Sequence, residues 1–161
     1  MNVVVTGSVP KDFALAKGEV KAAALFFGAR SAARVADERP ADFTWHEVVV
    51  HLVHDAESDA MHQAIMGIVG ATDVITQAYD AMPPERPGLY GELFVNVDQA
   101  RRAAPRRASW SPAKELLLYI AHGMDHLSGA DDHSEKDYRA MRRRELAWLK
   151  AERKSHEDSA R

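Results

Sequence analysis

Apolar and polar residues alternate along the chain with two periods, one near 2 and one near 3.6, which predict strands and helices respectively. Val3-Val4-Val5 is a β-branched run that predicts a first strand, followed by Gly7 and by Pro10 at a helix start. Phe13, Ala16, Val20, Ala23, Ala24 and Phe27 then recur at helical spacing, and Gly28 stands where that helix would end. Residues 29–45 show no clear period. Val48-Val49-Val50-His51-Leu52-Val53 is apolar at nearly every position, the pattern of a strand buried on both faces and central in a sheet. Asp55 can cap the next helix, whose apolar stripe is Met61, Ile65 and Ile68 and whose terminator is Gly67. Two further extended runs, Thr72 to Thr76 and Leu89 to Val97, flank a proline-bearing surface loop from Met82 to Gly88 and can pair across it.

The second half is helical. Asp98 can cap a short helix carrying Arg101 and Arg102, which Pro105 closes before Arg106 and Arg107. Ser111-Pro112 opens a helix with Glu115 in its first turn, and Leu116-Leu117-Leu118-Tyr119-Ile120-Ala121 is apolar all round, so this helix runs through the core. Ser134 caps a last helix, apolar at Tyr138, Met141, Trp148 and Leu149 and basic at Arg142, Arg143 and Arg144. Residues after Lys154 read as a flexible tail, 155–161.

Composition narrows the class. A chain of 161 residues with 46% hydrophobic and 28% charged residues predicts one soluble domain, spanning 1–154. There is no cysteine, which excludes disulfides and thiolate metal sites and suits a reducing, cytoplasmic setting. No segment approaches 18 uncharged apolar residues, and the N-terminus carries no basic leader with an apolar core, so neither a membrane span nor a plain export signal is expected. The net charge of −3 gives no general attraction to nucleic acid, but an acidic excess at residues 37–59 is followed by a basic excess later.

Candidate chemistry gathers at residues 122–133. His122 and His126 stack on one face of a helix, about 5–6 Å apart at Cβ and within reach of one ion. Gly129 can turn the chain back, so that Asp131, Asp132 or His133 supplies a third ligand. Gly123 occupies the place where a His-Glu-x-x-His peptidase has its general base, which argues against proteolysis. Three nitrogen and oxygen ligands with an open fourth position lower the pKa of bound water to about 7, so hydrolysis is the natural reaction class. Asp73 and Glu92, with Asp125 behind them, are the candidate carboxylates for supporting or general-base roles. His46, His51, His54 and His62 read as strand or surface histidines, with His51 or His62 able to face the cleft.

The run His122-Gly123-x-x-His126-Leu127-x-Gly129-x-Asp131, between a leucine-rich helix and a Tyr-Arg-x-Met helix, resembles the signature of the YbeY family of metal-dependent endoribonucleases. Thr72-Asp73-Val74-Ile75-Thr76 and Gly91-Glu92-Leu93-Phe94-Val95 resemble two of its strands, and the match covers most of residues 46–150. The resemblance implies an α+β fold, a small mixed four-stranded sheet flanked by helices. It also implies a single zinc ion, a metal-bound water as nucleophile, and cleavage of single-stranded RNA in rRNA processing and ribosome biogenesis. That work includes the 3′ end of 16S rRNA, with the small ribosomal subunit as partner.

By the same resemblance His122 and His126 are the first two ligands. The third position falls on Asp132, with His133 as the alternative if one residue bulges. Two histidines and a carboxylate also suit iron or nickel. The family usually carries an arginine where this chain has Met66, which leaves a phosphate-holding role unassigned. Arg101, Arg102, Arg106 and Arg107, or Arg142, Arg143 and Arg144, either line an RNA approach or form solvated faces. A non-catalytic biogenesis factor with a structural metal, binding RNA or ribosomal protein, is the competing function.

Overall fold

The structure is a computed structural model that describes residues 1–36, 45–80 and 89–161. The first strand, β1 (Asn2–Thr6), is followed by a 3-10 turn at Lys11–Phe13 and by helix α1 (Lys17–Val35). Strand β2 (Trp45–Val53), helix α2 (Asp55–Met66) and strands β3 (Val74–Asp80) and β4 (Leu89–Asn96) come next. Helices α3 (Val97–Ala103), α4 (Pro112–Leu127) and α5 (Glu135–Ser159) complete the chain. The sheet order is β1-β2-β4-β3, with β2 parallel to β1 and β4 and only the β3–β4 pair antiparallel. This is the expected small mixed α+β sheet, with β2 central and the two later runs paired as anticipated. The loop expected at Met82–Gly88 lies outside the described residues.

Strand alternation decides which face of the sheet carries the core. Val3, Val48, Val50, Leu93 and Val95 are all 1% exposed or less and face α1 and α4. Helix α4 is buried all round, as its six-residue apolar run requires. Leu116, Leu117, Leu118, Ile120 and Met124 are each 0% exposed, and five such side chains contribute on the order of 10 kcal/mol. Gly123 lets α4 sit directly on the sheet, because a Cβ there would lie 2.1 Å from Leu93 Cδ2. Among the described residues no helix is long and apolar enough to cross a membrane.

Several boundaries differ from the sequence expectation. Pro10 begins only the 3-10 turn, and α1 starts at Lys17 with Glu19 Oε2 accepting the Ala16 backbone N–H at 2.8 Å. Gly28 does not end α1; it lies inside the helix against Met1 and Met124, where a side chain would collide, and the helix continues to Val35. The two expected aspartate caps are rearranged. Asn96 caps α3 through its side-chain oxygen, while the Asp98 carboxylate accepts the Asp55 backbone N–H at the start of α2. Asp55 turns its own carboxylate to Arg102 and Asn96. The α2 stripe is shallow, with Met61 and Ile65 half-buried and Ile68 exposed. Where a tail was expected after Lys154, α5 remains helical to Ser159, and His156 sits 2.8 Å from Glu19 of α1.

Candidate metal centre

Helix α4 starts where Ser111 Oγ accepts the Lys114 N–H and Pro112 pre-sets the first turn. About three and four turns later it presents His122 and His126 on one face, with their Nε2 atoms 3.0 Å apart. The helix ends at Leu127, and Gly129, with φ +99°, takes the left-handed conformation that reverses the chain. That reversal brings the Ala130 carbonyl to His126 Nδ1, at 3.1 Å. It also brings Asp132 Oδ2 to 3.4 Å from His126 Nε2 and 3.8 Å from His122 Nε2.

Proton accounting fixes which nitrogens face the centre. His122 Nδ1 lies 2.6 and 2.9 Å from the two oxygens of Glu145, a fully buried carboxylate on α5 that can only accept, so Nδ1 donates. His126 Nδ1 likewise donates to the Ala130 carbonyl. Both Nε2 atoms therefore face one point beside a carboxylate oxygen, and they repel unless a cation or a shared proton lies between them. Burial opposes a charge on His122, but the Glu145 hydrogen bond and charge outweigh it and raise the His122 pKa.

The donor set also fits a metal in size. Tetrahedral ligands at bond lengths of about 2.0–2.1 Å stand about 3.3 Å from each other, and the observed separations of 3.0, 3.4 and 3.8 Å bracket that spacing. The structure thus brings Asp132 to the histidine pair. His133 points outward, its side chain 90% exposed and 3.4 Å from Asp131. Asp131, Asp132 and His133 form a second acidic group, open to solvent and sharing Asp132.

The remaining candidates separate by element. Asp73 lines a polar cleft of about 610 Å³ together with Tyr119, Arg106, Arg107 and Arg142. Its Oδ1 accepts the Val74 N–H at 2.7 Å and the Thr72 hydroxyl at 3.2 Å. Glu92 does not join the centre: Leu93 faces α4, so its neighbour is turned to the opposite face, where it meets His51 at 2.7 Å. Asp125 is 0% exposed and bound to Arg144 and Arg34, and burial raises its pKa despite both guanidiniums. Arg101 is paired with Asp12, Arg102 with Asp55 and Arg144 with Asp125, while Arg143 is exposed. Met66 is 57% exposed at the end of α2. His62 bonds the Gly70 carbonyl, His54 meets Asp98 and His46 packs on Tyr90, so none of them enters the centre.

Sequence reasoning missed Glu145 and Arg34. Glu145 stands four residues after Met141 and four before Leu149, on the buried stripe of α5, and a carboxylate in that register was the available signal. Arg34 reaches Asp125 and Ser128 from α1, a contact across 94 residues with no local signature.

The profile of the family endoribonuclease YbeY matches residues 19–152. The chain belongs to the YbeY family. Endoribonuclease YbeY of Rhodopirellula baltica is 36% identical over 104 residues, 64% of this chain and 52% of that protein. That of Thermus thermophilus is 35% identical over 97 residues, 60% of this chain and 69% of its own length. The Chloroflexus aggregans protein is 32% identical over 136 residues, covering 80% of this chain and 86% of that one. The chain spans about half the length of two of its curated YbeY relatives, 52% in one and 54% in the other. A solution structure from Thermotoga maritima aligns over 96% of this chain and 93% of that one at 22% identity, with a TM-score of 0.47. The YbeY resemblance read from residues 122–131 therefore holds.

Proposed function

We propose that this chain is a zinc-dependent endoribonuclease that cuts single-stranded RNA in ribosomal RNA processing, including the 3′ end of 16S rRNA. It acts in the cytoplasm with the small ribosomal subunit, and one ion is held by His122, His126 and Asp132. The relatives' name, endoribonuclease YbeY, supports the reaction class. The observation that carries the reading is the convergence of two bare Nε2 atoms and Asp132 Oδ2. Glu145, which accepts the His122 Nδ1–H, orients that ligand and increases its basicity. A bound zinc supplies Lewis acidity toward a phosphoryl oxygen and lowers the pKa of water.

The chain's own residues divide the other tasks. Asp132 is 32% exposed at its side chain, so the centre opens to solvent and to substrate on that side. Asp73 faces the adjoining cleft with no cationic partner among the described residues and is the proton acceptor in this scheme. Gly123, next to His122, packs α4 directly on Leu93 of the sheet. Cleavage of a single-stranded RNA by the zinc-loaded wild type, lost in His122→Ala, is the expected result. Unchanged cleavage in that variant would sink the proposal.

A further inference from the structure

The cleft that Asp73 lines lies about one helical turn from the metal centre along α4. Tyr119 and His122 are three residues apart on α4, and Arg142 and Glu145 are three apart on α5. Tyr119 and Arg142 both line the cleft, and three residues of α4 place Tyr119 about 4.5 Å along the helix from His122. Arg142 sits 5.6 Å over the Tyr138 ring, and its Nη2 reaches the Tyr138 hydroxyl only at 3.5 Å. Its Nε and Nη1 are shielded from solvent and have no hydrogen-bond partner among the described residues. Nε carries one N–H and Nη1 two, and buried donors on a cation are costly unless something accepts from them.

Of the other charges in the cleft, Glu115 and Arg107 are already paired. Glu115, 5% exposed, accepts from Trp110 Nε1 at 2.7 Å and lies 3.6 Å from Arg107. Asp73 is held by its own backbone turn. Three arginines face two carboxylates, so the lining carries a net positive charge. A guanidinium whose N–H groups lack partners among the described residues, at the wall of a polar cleft of net positive charge, matches a phosphate oxygen.

We propose that Arg142, with Arg106 at the rim, binds the phosphodiester next to the one being cut, so that the RNA strand runs along α4 from the Tyr119 level to the His122 level. This rests on the ribonuclease reading, and two probes separate them. The first is a ten-nucleotide single-stranded RNA, titrated calorimetrically into the full-length zinc-loaded protein at several salt concentrations. Arg142→Ala should weaken binding about tenfold and shallow the slope of log K against log salt by about 0.7, the value for one phosphate contact on a single strand. Arg142→Lys should restore the slope but only part of the affinity, and zinc content should match wild type in both.

The second probe is inorganic phosphate: its binding should survive in His122→Ala and be lost in Arg142→Ala. RNA bound and cut equally by wild type and Arg142→Ala, with the same salt slope, overturns this inference and leaves the nuclease intact. Phosphate binding that depends on Arg142 in a protein that cuts no RNA keeps the subsite and removes the nuclease.

Discussion

Replacing Glu145 tests how the buried carboxylate supports the metal ligands. The side chain is 0% exposed, and both its oxygens lie within 2.9 Å of His122 Nδ1. Glu145→Gln keeps the volume and an accepting oxygen, so the ring stays oriented while the charge that raises its basicity is lost. Glu145→Leu removes both. Partners of this kind are worth about 10- to 100-fold in metal affinity, or about 1.4–2.7 kcal/mol. The glutamine variant is expected near the lower figure and the leucine variant near the upper. Competition for zinc against a chromogenic chelator at pH 7.5 reads both directly, and the metal-free melting temperature shows whether folding is intact. A leucine variant that folds and binds zinc within twofold of wild type would refute the reasoning, because the Nδ1 hydrogen bond would then contribute nothing to the ligand.

Three further outcomes are expected. Asp125→Ala strands Arg34 and Arg144 beside a buried gap, so it should cost about 3–5 kcal/mol and lower the melting temperature by about 10 °C. Gly123→Ala, which on an open helix would gain about 1 kcal/mol, should instead destabilise by about 1 kcal/mol, because Leu93 is fully buried and has no room to move. Asp55 is held down to about 2 by Arg102 first and Asn96 second. A depressed folded pKa stabilises above the unfolded value and is lost as pH falls. The stability gap between wild type and Asp55→Asn, measured by urea titration, should therefore be at full size above about pH 4 and close by about pH 2.

The architecture was legible because its signals were local. Ser111-Pro112 and the run Leu116–Ala121 define α4 without reference to any other element, and the β-branched run at Val48–Val53 marks the central strand. Legibility failed where a side chain had to choose a direction. Asp132 and His133 are adjacent and both can ligate, and only the backbone path after Gly129 turns Asp132 inward and leaves His133 in water. Glu92 was misplaced because strand alternation sends it away from α4 once Leu93 is committed to Gly123. The arginine clusters read as equivalent charge runs, yet partners on distant elements occupy Arg101, Arg102 and Arg144 and leave Arg142 with no ion partner among the described residues. Asp98 capped the wrong helix in the sequence reading for the same reason: its partner, Asp55, is 43 residues away.

A crystal structure of the zinc-loaded protein, with anomalous data collected at the zinc edge, tests the central claim most directly. The account predicts one peak per chain, bound by His122 Nε2, His126 Nε2 and an Asp132 oxygen at about 2.0–2.2 Å, with a fourth side open to solvent. A peak bound by His133 in place of Asp132, or none at the histidine pair, would contradict it.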